Sequence, residues 1–87
     1  MPYISQTDRA KFRPLLYELS TLPAISTKGE LEYLIFSLMK KYMKDKEERY
    51  SILHDCTYAA IHCGDEFRRR FLDKREDEAM KTNGDVE

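Results

Sequence analysis

Residues 27–46 constrain this chain more than any other stretch. Thr27-Lys28-Gly29-Glu30 has the form of a capping box, in which the threonine hydroxyl and the glutamate carboxylate each satisfy a backbone amide at a helix start. The spacing predicts a helix from there to about Lys44 or Lys46. Projected at about 100° per residue, Leu31, Leu34, Ile35, Phe36, Leu38, Met39, Tyr42 and Met43 cover an arc of roughly 200°, interrupted only by Glu32. A helix lying on the surface of a monomer needs only about 100° of apolar face. This helix is too apolar to be satisfied by contact on one side.

The rest of the pattern is also helical. The only valine is Val86, whereas strands favour β-branched residues and helices favour the Leu, Met, Lys, Glu and Ala that are plentiful here. Ser5-Gln6-Thr7-Asp8 predicts a helical turn from about Gln6. Pro14 disfavours helix at Arg13, so a break or kink is expected there. A helix then runs from Pro14 to Ser20, with the stripe Leu15, Leu16, Leu19 and Leu22. A third, long helix is expected from an N-cap at Ser51 to about Lys81. Its stripe is Ile52, Leu53, Cys56, Ala59, Ala60, Cys63, Phe67 and Phe71, within about 120°. The expected fold is all-α: a three-helix protomer with a long C-terminal helix, assembled as a homo-oligomer to cover the surplus apolar surface.

At 87 residues the chain supports one domain with a small core. Residues 1–82 form that domain and residues 83–87 an acidic tail, with Asn83-Gly84 as the helix stop. No apolar run approaches the roughly 20 residues of a membrane span, and the N-terminus lacks a signal-peptide core. A cytoplasmic protein is expected. Residues 1–75 hold 14 bases and 11 acids, and residues 76–87 one base and five acids, giving −1 overall. That balance argues against a groove for long nucleic acid.

The candidate chemistry is sparse. Cys56 and Cys63 lie seven residues apart, about 10.5 Å along one helix, too far for a disulfide within it. They read as free thiols, with no second Cys or His pair at zinc spacing, so no metal or cofactor is expected. His54, Tyr58 and His62 share one helix face with Arg69. No nucleophile with a paired base and no Gly-rich phosphate loop is present, so a non-enzymatic role is expected. Arg70 projects to the edge of the apolar stripe. A guanidinium there needs a carboxylate, such as Glu66, or an anionic ligand.

Several short motifs stand together in order. Met1-Pro2-Tyr3-Ile4 with Asp8-Arg9, Gly29-Glu30-Leu31-Glu32-Tyr33, and Glu76-Asp77 followed by Asn83-Gly84-Asp85-Val86 resemble a family of small uncharacterised proteins from bacteria and their phages. The chain departs from it at Glu32, where relatives carry Asn, and at Glu87, where they carry an aromatic. The resemblance implies a bacterial cytoplasm, the host's if the chain is phage-encoded, and transfers no catalytic residue. Small oligomeric helical phage proteins often act by binding, some by sequestering the nucleotide signals of bacterial immunity. By that analogy Tyr3 and Tyr58 supply flat faces for a base, with His62 beside them. Arg9, Arg13, Arg68, Arg69 and Arg70 supply forks for phosphate at a subunit interface. The competing expectation is an interaction module that binds and inhibits a host protein through its apolar helices.

Overall fold

The computed structural model describes residues 2–86, and among them there is no strand. Helix α1 spans Gln6–Arg9 and leads through a 3-10 turn at Ala10–Phe12 into α2, Arg13–Thr21. The Ser5 hydroxyl caps α1 by accepting from the Asp8 amide at 3.1 Å. The break expected at Arg13 falls one residue earlier, at Phe12, whose φ of −100° and ψ of 1° leave the helical region. Arg13 itself is helical at φ −57° and ψ −42°, because Pro14 in the first turn lacks only an amide that has no partner within the helix.

Helix α3, Lys28–Met43, starts at the expected box. The Glu30 amide donates to Thr27 Oγ1 at 3.0 Å, and Glu30 Oε1 accepts from the Thr27 amide at 3.3 Å and the Ser26 amide at 2.7 Å. One carboxylate oxygen thus takes two amides that would otherwise lack a partner. Beyond Met43 the chain reverses through Asp45 at a positive φ of 66°, a conformation that aspartate tolerates better than most residues.

The third helix begins one residue earlier than its predicted cap at Ser51. The Arg49 carbonyl accepts from the Ile52 and Leu53 amides, each at 3.1 Å, and no side chain caps the turn. Helix α4 is Tyr50–Phe67, a π-helical segment follows at Arg68–Leu72, and α5 completes the rod at Asp73–Asn83. The rod is about 34 residues long, or about 51 Å at 1.5 Å per residue, which equals the longest dimension of the molecule, 51 Å. Gly84, at a φ of 88°, ends it. The helix therefore reaches Asn83, one residue into the expected tail. Met1 and the tail's last residue, Glu87, lie outside the described residues.

α3 and α4 pack side by side as an antiparallel hairpin, with the Cys56 thiol donating to the Met39 carbonyl at 3.4 Å. Cys56, 6% exposed, is the only buried residue among those described. Large apolar side chains remain open, including Phe36 at 63%, Leu38 at 60% and Phe67 at 65%. The accessible surface is 8280 Å², against about 5,400 Å² for a compact monomer of this mass. The radius of gyration is 16.9 Å, against about 12 Å for a compact domain of this length. One chain makes a hairpin and a rod without closing a core around them.

Because the box at Thr27 satisfies amides that solvent would otherwise have to reach, Thr27→Ala should destabilise the fold by about 1 kcal/mol. Urea denaturation followed by circular dichroism measures this, and an unchanged midpoint would contradict it.

Candidate functional site

The sequence-predicted residues divide into a cluster, a row of rings above it, and Arg13, which stands apart. The cluster forms where the N-terminal arm meets the end of α4 and the π segment. Arg70 Nη1 donates to the Tyr3 hydroxyl at 3.1 Å, a contact spanning 67 residues of sequence. The arm is held by Arg9, whose Nε donates to the Ile4 carbonyl at 2.8 Å. Tyr3, Arg9 and Arg70 are thereby brought together, with Arg9 acting on the backbone of the arm.

The three consecutive arginines have different partners, as their angular spread requires. Arg68 Nη2 pairs with Asp65 at 3.6 Å. Arg69 grips Glu66 with two nitrogens, the longer contact at 3.1 Å. Arg70 has no carboxylate partner among the described residues. It meets the neutral Tyr3 hydroxyl and lies 5.4 Å from the centre of the Phe71 ring. Glu66 therefore takes Arg69 rather than Arg70. In the single protomer Arg70 is exposed rather than drawn into the apolar stripe. The π segment supplies a reason: its extra residue departs from the steady 100° advance on which the projection of Arg70 rested.

Glu66 is the organising acid of the cluster, and its side chain is only 13% exposed. The hydrogen bond from Arg69 holds its carboxyl below the ordinary glutamate value, against an opposing effect of burial, and the nearby Tyr3 hydroxyl acts in the same direction as Arg69. Arg69 is held correspondingly above its usual value. The sequence does carry a signal for this acid, since Glu66 stands three and four residues before Arg69 and Arg70. The contribution of Tyr3 has no such local signal.

Above the cluster on α4 runs a ladder of rings spaced four residues apart. His54 stacks on Tyr58 with centroids 4.3 Å apart and planes 28° from parallel. Tyr50 and His62 extend it at 5.7 Å and 6.0 Å. Tyr58 and His62 thus share a face that leads down to Glu66. His54 and Tyr50 belong to the same ladder. Arg13, at the start of α2, makes no hydrogen bond or ion pair with the cluster among the described residues. No three His, Cys, Asp or Glu side chains converge as a metal site among the described residues.

The opposite side of α4 is wholly different. Between α3 and α4 lies an apolar groove of about 610 Å³, lined by Leu31, Ile35 and Met39 on one wall and by Ala59, Cys63 and Phe67 on the other. No helix among the described residues is long and apolar enough to cross a membrane.

The chain belongs to the family described as Domain of unknown function (DUF6899), whose model matches residues 1–86. No curated protein and no solved structure matches it.

The Glu66–Arg69 pair makes a pH prediction. A carboxyl depressed by its partner contributes stability that is full above the ordinary glutamate range and is lost as pH falls through the lowered folded value. Carboxyl ¹³C titration should place Glu66 below the ordinary value in the wild type and return it towards that value in Arg69→Gln. Equal midpoints in the two proteins would contradict this account.

Proposed function

We propose that this protein is a non-enzymatic homo-oligomer that binds and sequesters a small anionic, nucleotide-derived ligand at a subunit interface. The observation that carries the reading is the unequal partnering of Arg68, Arg69 and Arg70. Two of the guanidiniums already answer to carboxylates, whereas Arg70 meets only a phenol and an aromatic ring. Its fork is free to bind a phosphate in two-pronged fashion, an interaction stronger than that with a neutral group. Tyr3 places that hydroxyl and a flat ring beside it, and Tyr58 and His62 add an aromatic face on α4.

Self-association is supported by surface. The excess over a compact monomer is about 2,900 Å² per chain, the scale of obligate interfaces rather than of transient ones. An interface closing over the exposed Arg70 would exclude water from it, which is where a charged hydrogen bond gains most. The setting follows from the sequence resemblance: in a bacterial cytoplasm invaded by phage, nucleotide immune signals are small, anionic and depleted by any abundant binder.

Calorimetry against a panel of cyclic and linear nucleotides tests it. At least one should bind the wild type, and Arg70→Ala should weaken binding tenfold or more, as loss of a charged hydrogen bond worth about 1.5–3 kcal/mol requires. Lys44→Ala should bind as the wild type does, because Lys44 precedes the start of α4, about 30 Å along the rod from Arg70. If no nucleotide binds, the ligand reading fails and binding to a host protein through the apolar helices takes its place.

A further inference from the structure

Helix α2 and the α3–α4 groove are each incomplete, and in one chain they do not meet. Leu15, Leu16 and Leu19 form a stripe about 100° wide on α2, yet every one is roughly half exposed, Leu16 at 55%. α2 packs chiefly on the turn that precedes it, with nothing comparable to the α3–α4 contact. The groove, for its part, runs from Leu31 to Tyr42 on α3 and from Asp55 to Phe67 on α4, and Asp55 is the one charged residue of its lining. The two walls are about 16.5 Å and about 18 Å long, and the leucine stripe is about 6 Å long, so the stripe fits within the groove.

Gly64 is a second and independent sign that another helix belongs there. It lies inside α4, where a glycine costs about 1 kcal/mol relative to alanine. Its own chain supplies no reason for that cost, because a Cβ added at Gly64 would meet nothing within 4 Å. Gly64 lines the groove together with Ala59, Ala60 and Cys63. Small residues at such a seam let a third helix approach closely.

The chain's own α2 is led away from this groove. Leu22, Pro23, Ala24 and Ile25 border one shallow pocket together with Gly29, Glu30, Tyr33 and Leu34 of α3. At 100° per residue that patch is centred roughly 150° around α3 from the groove-lining Leu31, Ile35, Leu38 and Met39. The connection therefore delivers α2 to the back of the hairpin. We infer that α2 of one protomer docks its leucine stripe into the α3–α4 groove of a second copy of this chain, passing over Gly64. This rests on the homo-oligomer reading and assigns it a specific interface.

Sedimentation and cross-linking test the inference separately from that reading. Gly64→Leu should retain or raise helix content by circular dichroism while shifting the wild-type assembly towards the 10.4 kDa monomer. A purely structural glycine would leave the assembly unchanged. Leu19→Cys places a thiol in the middle of the stripe, opposite the exposed Cys63 of the groove. Mild oxidation should then give covalent dimers or larger species on a non-reducing gel, and these should vanish when Cys63→Ser is added. A disulfide formed within one chain, or no disulfide at all, would overturn the exchange, as would an unaltered assembly in Gly64→Leu. A wild type that sediments as a monomer would overturn the oligomer reading itself.

Discussion

The apolar seam between α3 and α4 holds this molecule together. Its deepest member is Cys56, which is small enough to let the two helices approach and whose thiol reaches the Met39 carbonyl. The seam gives the long rod its principal lateral support, since α5 and the π segment pack along the rod rather than across it. Two helices in contact shield one side of each. The other sides keep their leucines and phenylalanines in water, and this explains why a chain of ordinary composition presents so large a surface. The geometry follows from the 200° apolar arc of α3, which one antiparallel neighbour cannot span.

The second organising contact is electrostatic and joins the N-terminal arm to the rod. Glu66 holds Arg69, while Arg70 reaches Tyr3 from the next position. An acid beside three arginines sorts them, binding one firmly and leaving another with a neutral partner. The π segment at Arg68–Leu72 is part of that sorting, because its wider turn changes the direction in which successive arginines leave the helix. Arrangements of this kind are frequent at functional sites, and here the N-terminal arm, the π segment and the end of the aromatic ladder coincide.

Part of this site is legible along the chain. The shared face of His54, Tyr58 and His62 follows from four-residue spacing, and the rings do follow one another in that order, the first pair stacked and the second tilted. The divergence of Arg68, Arg69 and Arg70 follows from the helical advance, and they do find separate partners. What is not legible is which arginine takes which partner. A constant angular step carried through Phe67 misses the π segment. Nor does Ser51 cap its helix, because the Arg49 carbonyl takes the first amides without help from a side chain.

The sequence by itself determined the helices, their main boundaries and the surplus of apolar surface. These depend on interactions within four residues: the side-chain cap at Ser5 and the capping box at Thr27, the restriction imposed by Pro14, the left-handed stop at Gly84, and periodicity along a single helix. Only the tertiary structure decided that Tyr3 meets Arg70 across 67 residues, that α2 is led behind the hairpin, and that Gly64 faces open space. Such contacts depend on where two distant segments end up relative to one another. Local propensity carries no information about that placement, since it is set by the packing of α3 on α4 and by the path of the linker at Leu22–Ile25.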